Sequence, residues 1–535
     1  MASLLMSPAY VVRKTGIDLL KDPWCNKGSA FPRSERDRLG LRGLLPPRSL
    51  TLELQAARFM EDYHHPVHLI PPEDVKLGGV TSEMARRWKA IVVTDGSRIL
   101  GLGDLGLNGL GIPIGKLDLY CAAAGFSPSK VLPVVIDVGT NNKALRNDPH
   151  YAGLRIPRIT GPEYFAIVDE FVAAAMSRWP NAVLQFEDFS IHHAGPLLER
   201  YRAHHLVFND DIQASPPDRA CPYGTAATAL AGLYGALRVL GLPPSALAEQ
   251  RVVCVGAGSA GMGVVRMIAA GMQKQGGLTA AQAASRFWVL DYRGLITSHR
   301  PDVAPFVAPF ARPAGDSDHE GGHEGEDLLS VVRRVKPTIL LGLAGAGRLF
   351  TPEVLAAMDQ GCPQQRPIIF PMSNPTSKME CTAEEALRVT RGRAIFASGS
   401  PQPPVELPGE AGGPVAVSQA NNMYIFPGVA LGAYMGQTRI ITDRMLMAAA
   451  DELPRLVEAE DLKKGHVYPR LESIRDIAVS IATAVASAAG DEGRLCGRMR
   501  DKYAQGPDAM RSFISRSMFY PEYSALVHLP RGIDE

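Results

Sequence analysis

The stretch that most restricts the fold of this chain is RVVCVGAGSAGMGVVRMIAAGM, residues 251–272. A short β-branched run ends in Gly256-Ala257-Gly258-Ser259-Ala260-Gly261 and passes at once into a helical pattern. That context gives the G-x-G-x-x-G spacing its physical meaning. The first glycine permits a tight turn, and the second lets the backbone approach a pyrophosphate. The third lets helix pack on strand, with the helix N-terminus facing the anion. The region is thereby committed to a parallel α/β unit that binds a dinucleotide. The next strand ends at Asp291, which suits ribose hydroxyls and so NAD. Arg293 and Arg300 follow closely and suit a 2′-phosphate, hence NADP. These residues alone leave the choice between the two open.

The α/β pattern extends well beyond that unit. AIVVTDG, VLPVVIDVG, AVLQFEDF and HLVFNDD precede it as short β-branched or apolar runs ending in acids or glycine, as buried parallel strands do. EYFAIVDEFVAAAMSRW (163–179) reads as a helix, and PTILLGLAGAGRLF and RPIIFPMSNPT as further strands. Residues 311–327 form an acidic, low-complexity stretch expected to be a solvated loop, and the tail from about 440 reads as helical.

Strand-end acids sit where α/β sheets place ligands. Glu187, Asp188, Asp210 and Asp211 form two such pairs, and oxygen donors of this kind suit Mg²⁺ or Mn²⁺. The alternative is that they cap the helices that follow. SRILGLGDLGLNGLGIPIGKLDLY (97–120) combines many glycines with Arg98 and Lys116. Arg98 suits a carboxylate clamp, and a desolvated Lys116 suits a general base; as isolated residues, both also read as surface charges. Asn374, Asn421 and Asn422 lie in turns, either as ordinary turn residues or as amides orienting a small polar acid.

With 535 residues the chain has room for two or three buried cores. A formal charge of +1 gives no general pull toward nucleic acid or an anionic membrane, and no apolar run is long enough for a membrane span. Seven scattered cysteines without a CxxC pair point to a reducing compartment. A cytoplasmic location is the expectation, with plastid and mitochondrion as alternatives.

Taken together, VVTDGSRILGLGDLG, GIPIGKL, QFEDF, FNDDIQ, VGAGSAGMG, GLAGAGRLFT, SNPTSKMECTAEEA and ANNMYIFPGVALG closely resemble the malic enzyme family. The resemblance runs through nearly the whole chain. It implies an α/β fold: a parallel-sheet catalytic domain plus a Rossmann-type dinucleotide-binding domain, with helical N- and C-terminal segments. The expected divisions are an N-terminal segment at 1–80, a catalytic and metal-binding domain at 81–213, a dinucleotide domain at 214–420, and a return to the catalytic domain with a helical tail at 421–535. The implied activity is oxidation of (S)-malate and decarboxylation to pyruvate and CO₂, in a homodimer or homotetramer. Lys116 matches the family's general base and Asp210 the acid that tunes it. Glu187, Asp188 and Asp211 match the ligands of Mg²⁺ or Mn²⁺. Arg98, Asn374 and Asn421, with Asn422 adjoining, match the malate site, and Gly256, Gly258, Gly261 and Asp291 the nucleotide site. On the family's pattern the two arginines tilt the cofactor toward NADP, with NAD the alternative.

The chain departs from the family in three places. The Tyr-Thr-Pro-Thr-Val-Gly motif, whose tyrosine is the family's general acid, is absent, and Tyr63 does not match it. Ten residues, 214–223, separate FNDDIQ from the following GTA; they are expected to loop out to solvent, leaving the acids and helix in place. The family's Asn-His-Asn is Ile191-His192-His193 here. Two readings follow: an active decarboxylating oxidoreductase, or an impaired splice form or gene model that binds dinucleotide and metal without efficient turnover. A dehydrogenase without decarboxylation accounts for the glycine turn but not for the paired acids.

Overall fold

The structure is a computed structural model that describes residues 33–39, 41–45, 48, 88–99, 102–209, 224–313, 322–407, 414–415 and 417–520. The described residues build two sheets. In the first, β1 (Ala90–Thr94), β2 (Val131–Val135), β3 (Val183–Phe186) and β4 (Val207–Asn209) lie in the order β2-β1-β3-β4. All its pairings are parallel, and Ala90 is in register with both Val131 and Val183. β1 and β3 are buried along their whole length, which explains why they are continuous apolar runs rather than alternating ones. Strand order reverses between β1 and β3, so the crevice beyond their carboxyl ends is where this sheet can take a ligand.

The second sheet contains β5 (Val252–Val255), β6 (Phe287–Asp291), β7 (Gly294–Leu295), β8 (Ile339–Gly342), β9 (Ile368–Pro371), β10 (Ile395–Ser398) and β11 (Ser418–Gln419). Their order is β11-β10-β9-β8-β5-β6-β7, parallel except for the β6–β7 hairpin. The order reverses between β5 and β8, placing the glycine turn after β5 beside the turn that follows β8. The strands expected from the sequence are present as β1–β6, β8 and β9. The short β7 and the pair β10–β11 complete the sheet.

Five helices matter for the site. α1 (Gly111–Ala124) follows the glycine-rich loop, α2 (Gly161–Arg178) and α3 (Ile191–Tyr201) flank the first sheet, and α4 (Gly224–Val239) leads to the second. α5 (Ser259–Gly276) leaves the glycine turn. The helical tail expected from about 440 is present and includes Ile474–Asp491. It packs against Phe426–Gly436 through glycines: a Cβ on Gly428 would lie 2.7 Å from Ile481, and one on Gly432 2.6 Å from the Ala482 carbonyl. Small residues let these two buried helices approach backbone to backbone.

The stretch at 311–327 is only partly the solvated loop expected from its composition. Glu324 accepts from Thr297 Oγ1 at 2.8 Å and pairs with Arg300, and Glu326 pairs with Arg334 at 2.5 Å. Glu324 ties the stretch to the second sheet because the buried Arg300 guanidinium requires a partner, and Glu326 ties it to the helix Leu328–Val335.

Candidate functional site

Two clusters form at the two strand-order reversals. At the first sheet, β1 ends in the turn Asp95–Arg98 and β3 in Glu187–Asp188. The Glu187 N–H donates to the Val93 carbonyl at 2.8 Å, which brings the two strand ends together. Asp95 is fully buried and organises its turn: Oδ1 accepts from Ser97 N at 2.9 Å and Ser97 Oγ at 2.5 Å. Oδ2 accepts from Tyr164 Oη at 2.8 Å. Ser97 Oγ also accepts from the Ser190 N–H at 2.8 Å, so the turn carrying Arg98 is fastened to the loop carrying Glu187 and Asp188. Burial alone would raise the Asp95 carboxyl, but bonds from His193 and Ser97 and the field of Arg158 outweigh it and hold it below the usual carboxylate range. Arg98 itself is exposed.

Lys116 projects from α1 and is 9% exposed, with Nζ 2.9 Å from Glu187 Oε1. The other oxygen of Glu187 accepts from Gln185 Nε2 at 2.6 Å, and Gln185 in turn accepts from the Tyr120 hydroxyl. Asp188 is half-buried, with a left-handed backbone at φ 54° that turns the chain sharply after the strand. The lysine also lies 4.6 Å from the centre of the Phe426 ring. Phe426 begins the helix that follows Asn421 and Asn422, so this segment closes over the lysine. Asp210, Asp211 and the insert 214–223 lie outside the described residues, as do Tyr63 and the stretch 51–87 where the tyrosine motif is missing. Among the described residues no group of three His, Cys, Asp or Glu side chains is placed to hold a metal; the expected set includes Asp211, which is not among them.

The second cluster is the glycine turn. Gly256 has φ +119°, and a Cβ there would lie 2.4 Å from the Leu343 carbonyl oxygen. A Cβ on Gly261 would meet the Gly256 carbonyl at 1.8 Å. Gly258 has nothing within 4 Å, so its backbone faces open space. Ala257 is half-buried and Ala260 exposed, and Ser259 is the first residue of α5. Gly256 and Gly261 thus sit where the tight turn and the helix–strand packing leave no room for a side chain, and Gly258 borders open space. At the end of β6, Asp291 Oδ2 pairs with Arg300 Nη1 at 2.5 Å, and Arg300, 5% exposed, is also held by Glu324. Arg293 is exposed and pairs with Asp302 at 3.0 Å.

Asn374, Asn421 and Asn422 lie at the carboxyl edge of β9–β11. Asn374 is exposed, and its Oδ1 accepts from Ser400 Oγ at 2.6 Å. Asn421 Oδ1 accepts from the Met423 N–H at 3.0 Å, and Asn422 is half-buried beside it.

Family models for the malic enzyme N-terminal domain and the malic enzyme NAD binding domain match residues 56–202 and 223–490. A protein of Solanum tuberosum, the NAD-dependent malic enzyme 59 kDa isoform, mitochondrial, is 41% identical over 599 positions, covering 98% of this chain and 97% of its own. The chain belongs to the malic enzyme family. The NADP-dependent malic enzyme of Phaseolus vulgaris is 40% identical, covering 97% of this chain and 94% of its own. Among solved structures, the Entamoeba histolytica malic enzyme shares the fold at a TM-score of 0.58 and 22% identity, over 90% of this chain and 92% of that one.

For a member of this family, the residues that sequence reading overlooked are those beneath the motifs. Asp95, Tyr164 and His193 support the Arg98 turn, and the rings of Tyr164 and His193 stack with centroids 3.8 Å apart. Asp104, within GLGDLG, binds Arg158 through both oxygens at 2.8 Å and accepts from Thr140 Oγ1 at 2.8 Å. Acids flanked by glycines signal tight turns, but their partners are far away in sequence and come from other elements.

Proposed function

We propose that this chain oxidises (S)-malate with NAD and decarboxylates the product to pyruvate and CO₂. The observation that carries the proposal is the buried Lys116–Glu187 pair at the reversal of the first sheet, in a chain that also bears a dinucleotide turn. Lys116 takes the proton of the C2 hydroxyl at Nζ, and Asp210 tunes its basicity. Arg98 grips a substrate carboxylate through paired N–H donors. Asn374 and Asn421 orient the acid from the facing sheet edge. Glu187, Asp188 and Asp211 would hold Mg²⁺ or Mn²⁺, since carboxylate oxygens are the donors hard cations select. When bound, the cation supplies Lewis acidity that favours loss of the hydroxyl proton and stabilises negative charge after CO₂ departs. Gly256, Gly258 and Gly261, with Asp291, would hold a dinucleotide, which would supply the hydride acceptor. Phe426 covers the lysine and limits its contact with water.

NAD is preferred here although the arginines near Asp291 invited NADP. Arg300 is already engaged by Asp291 and Glu324, which removes a cation from the set that would meet a 2′-phosphate. Several of the similar plant proteins are NAD-dependent mitochondrial enzymes by name, which favours NAD and a mitochondrial location for this chain.

A second function is favoured by a specific observation. The alignment to the potato relative spans 599 positions against 535 residues in this chain, so that relative carries segments missing here. Absence of the tyrosine motif fits such a loss and supports a chain that binds both cofactors but turns over poorly. Purified protein with malate, NAD and Mn²⁺ decides between the two. Equal amounts of reduced dinucleotide, pyruvate and CO₂ establish the first. Binding of NAD and Mn²⁺ by calorimetry without turnover establishes the second, and failure to bind either overturns both.

A further inference from the structure

Glu380 belongs to none of the roles above, yet its side chain is 0% exposed beneath the carboxyl ends of β8 and β9. Oε1 accepts from the Ala344 N–H at 3.2 Å and from Ser373 Oγ at 2.5 Å. Oε2 accepts from the Ser373 N–H at 3.4 Å. The Ser373 hydroxyl accepts in turn from the Gly345 N–H at 2.9 Å. One carboxylate therefore joins the turn after β8 to the turn after β9. The backbone is shaped to admit it, because a Cβ on Gly342 would lie 2.4 Å from Glu380 Cδ.

What these turns carry gives the link its purpose. The β8 turn abuts the glycine turn, where Leu343 lies against Gly256. The β9 turn continues directly into Asn374, whose side chain packs on Gly399; a Cβ there would fall 2.9 Å from Asn374 Nδ2. Burying a carboxylate is costly, and burial raises the Glu380 carboxyl despite the bonds from Ser373 and Ala344. A leucine would fill such a space at lower cost if packing were the only requirement.

We propose that Glu380 is a positioning residue that locks the β8 and β9 turns together and, through Ser373, sets the Asn374 amide in the malate site. The inference rests on the function proposed above. Both Glu380 oxygens face N–H or O–H donors, so the isosteric Glu380→Gln places its NH₂ against a donor in either orientation. The fold retains its shape while the link is broken.

The test is a double-mutant cycle on malate binding, measured by calorimetry with Mn²⁺ and reduced dinucleotide present so that no turnover occurs. Glu380→Gln and Asn374→Ala are each expected to weaken malate about tenfold, the scale of a lost hydrogen bond to a charged group. The double variant is expected to be no weaker than Asn374→Ala alone, because both act through the same amide. Additive losses, or unchanged malate binding in Glu380→Gln, overturn the inference while leaving the function standing. A wild-type chain that binds Mn²⁺ and dinucleotide but no malate overturns both. If Glu380→Gln does not fold, Ser373→Ala takes its place in the cycle, since it keeps the carboxylate and removes only the bridging hydroxyl; the same outcomes apply.

Discussion

Lys116 Nζ lies 2.9 Å from Glu187 Oε1, and both side chains are nearly buried, at 9% and 7% exposure. The lysine comes from a helix and the glutamate from the end of a strand, so the pair records how the sheet and its covering helix meet. Two ionisable groups so far from water are accommodated by facing each other, with the Phe426 ring packed against the lysine from a further side. The proposed base and a proposed metal ligand are thus adjacent atoms of one site.

Lys116→Met is expected to lower formation of reduced dinucleotide from malate by about 10²- to 10⁴-fold, the usual worth of a general base. Dinucleotide affinity, set at the other sheet, should not change. Stopped-flow absorbance and calorimetry on the same preparation measure the two quantities. Equal loss of both would show that Lys116 serves the fold rather than the chemistry.

Asp104 and Arg158 predict an acid-dependent stability. Burial raises the Asp104 carboxyl, but bonds from Arg158, the Asn141 N–H and Thr140 outweigh it, and its net position is below the usual range. A carboxyl depressed on folding stabilises the fold above its unfolded pKa of about 3.9 and loses that contribution as pH falls through the folded value. Asp104→Asn leaves Arg158, 5% exposed, without its ion pair. Its expected cost at pH 7 is about 3 kcal/mol, the scale of a broken buried pair. Urea unfolding should show that difference at neutral pH and a shrinking one below about pH 4. A difference independent of pH would refute the assignment.

At the nucleotide site, NAD is expected to bind at least about tenfold tighter than NADP, the ratio that one poorly met phosphate charge implies. Asp291→Asn should weaken NAD and narrow that gap, because the carboxylate is the proposed acceptor of the ribose hydroxyls and also holds Arg300. Titration with each dinucleotide measures it, and a preference for NADP in the wild-type chain contradicts the proposal.

Much of this architecture was legible in the sequence, and the reasons are local. β5 and the turn after it were readable because the glycine requirement is met within six residues. β1 and β3 were readable because a strand buried on both faces has to be a continuous apolar run. The two-residue strands β7 and β11 carry too few side chains to show any period. The supporting carboxylates Asp95 and Glu380 were not legible for a different reason. Tyr164, His193 and Ala344 lie tens of residues away in sequence, and a buried acid has no pattern until its donors are known. Glu324 misled in the opposite sense: its acidic, glycine-rich surroundings resemble a solvated loop, while its partner Arg300 is 24 residues upstream.

The three glycines of the turn should fail differently when replaced, and this separates folding from binding. Gly261 sits where a Cβ would be 1.8 Å from the Gly256 carbonyl, so Gly261→Ala forces helix α5 off the turn. Overpacking of that kind typically costs about 1–3 kcal/mol, and thermal unfolding should detect it without any ligand. Gly256 combines φ +119° with a close carbonyl, and Gly256→Ala is expected to destabilise as well. Gly258 has open space instead. Gly258→Val should therefore melt close to the wild-type temperature yet lose dinucleotide binding, since its side chain would occupy the volume the pyrophosphate needs. A Gly258→Val chain that melts normally and still binds NAD with wild-type affinity would move the dinucleotide away from this turn.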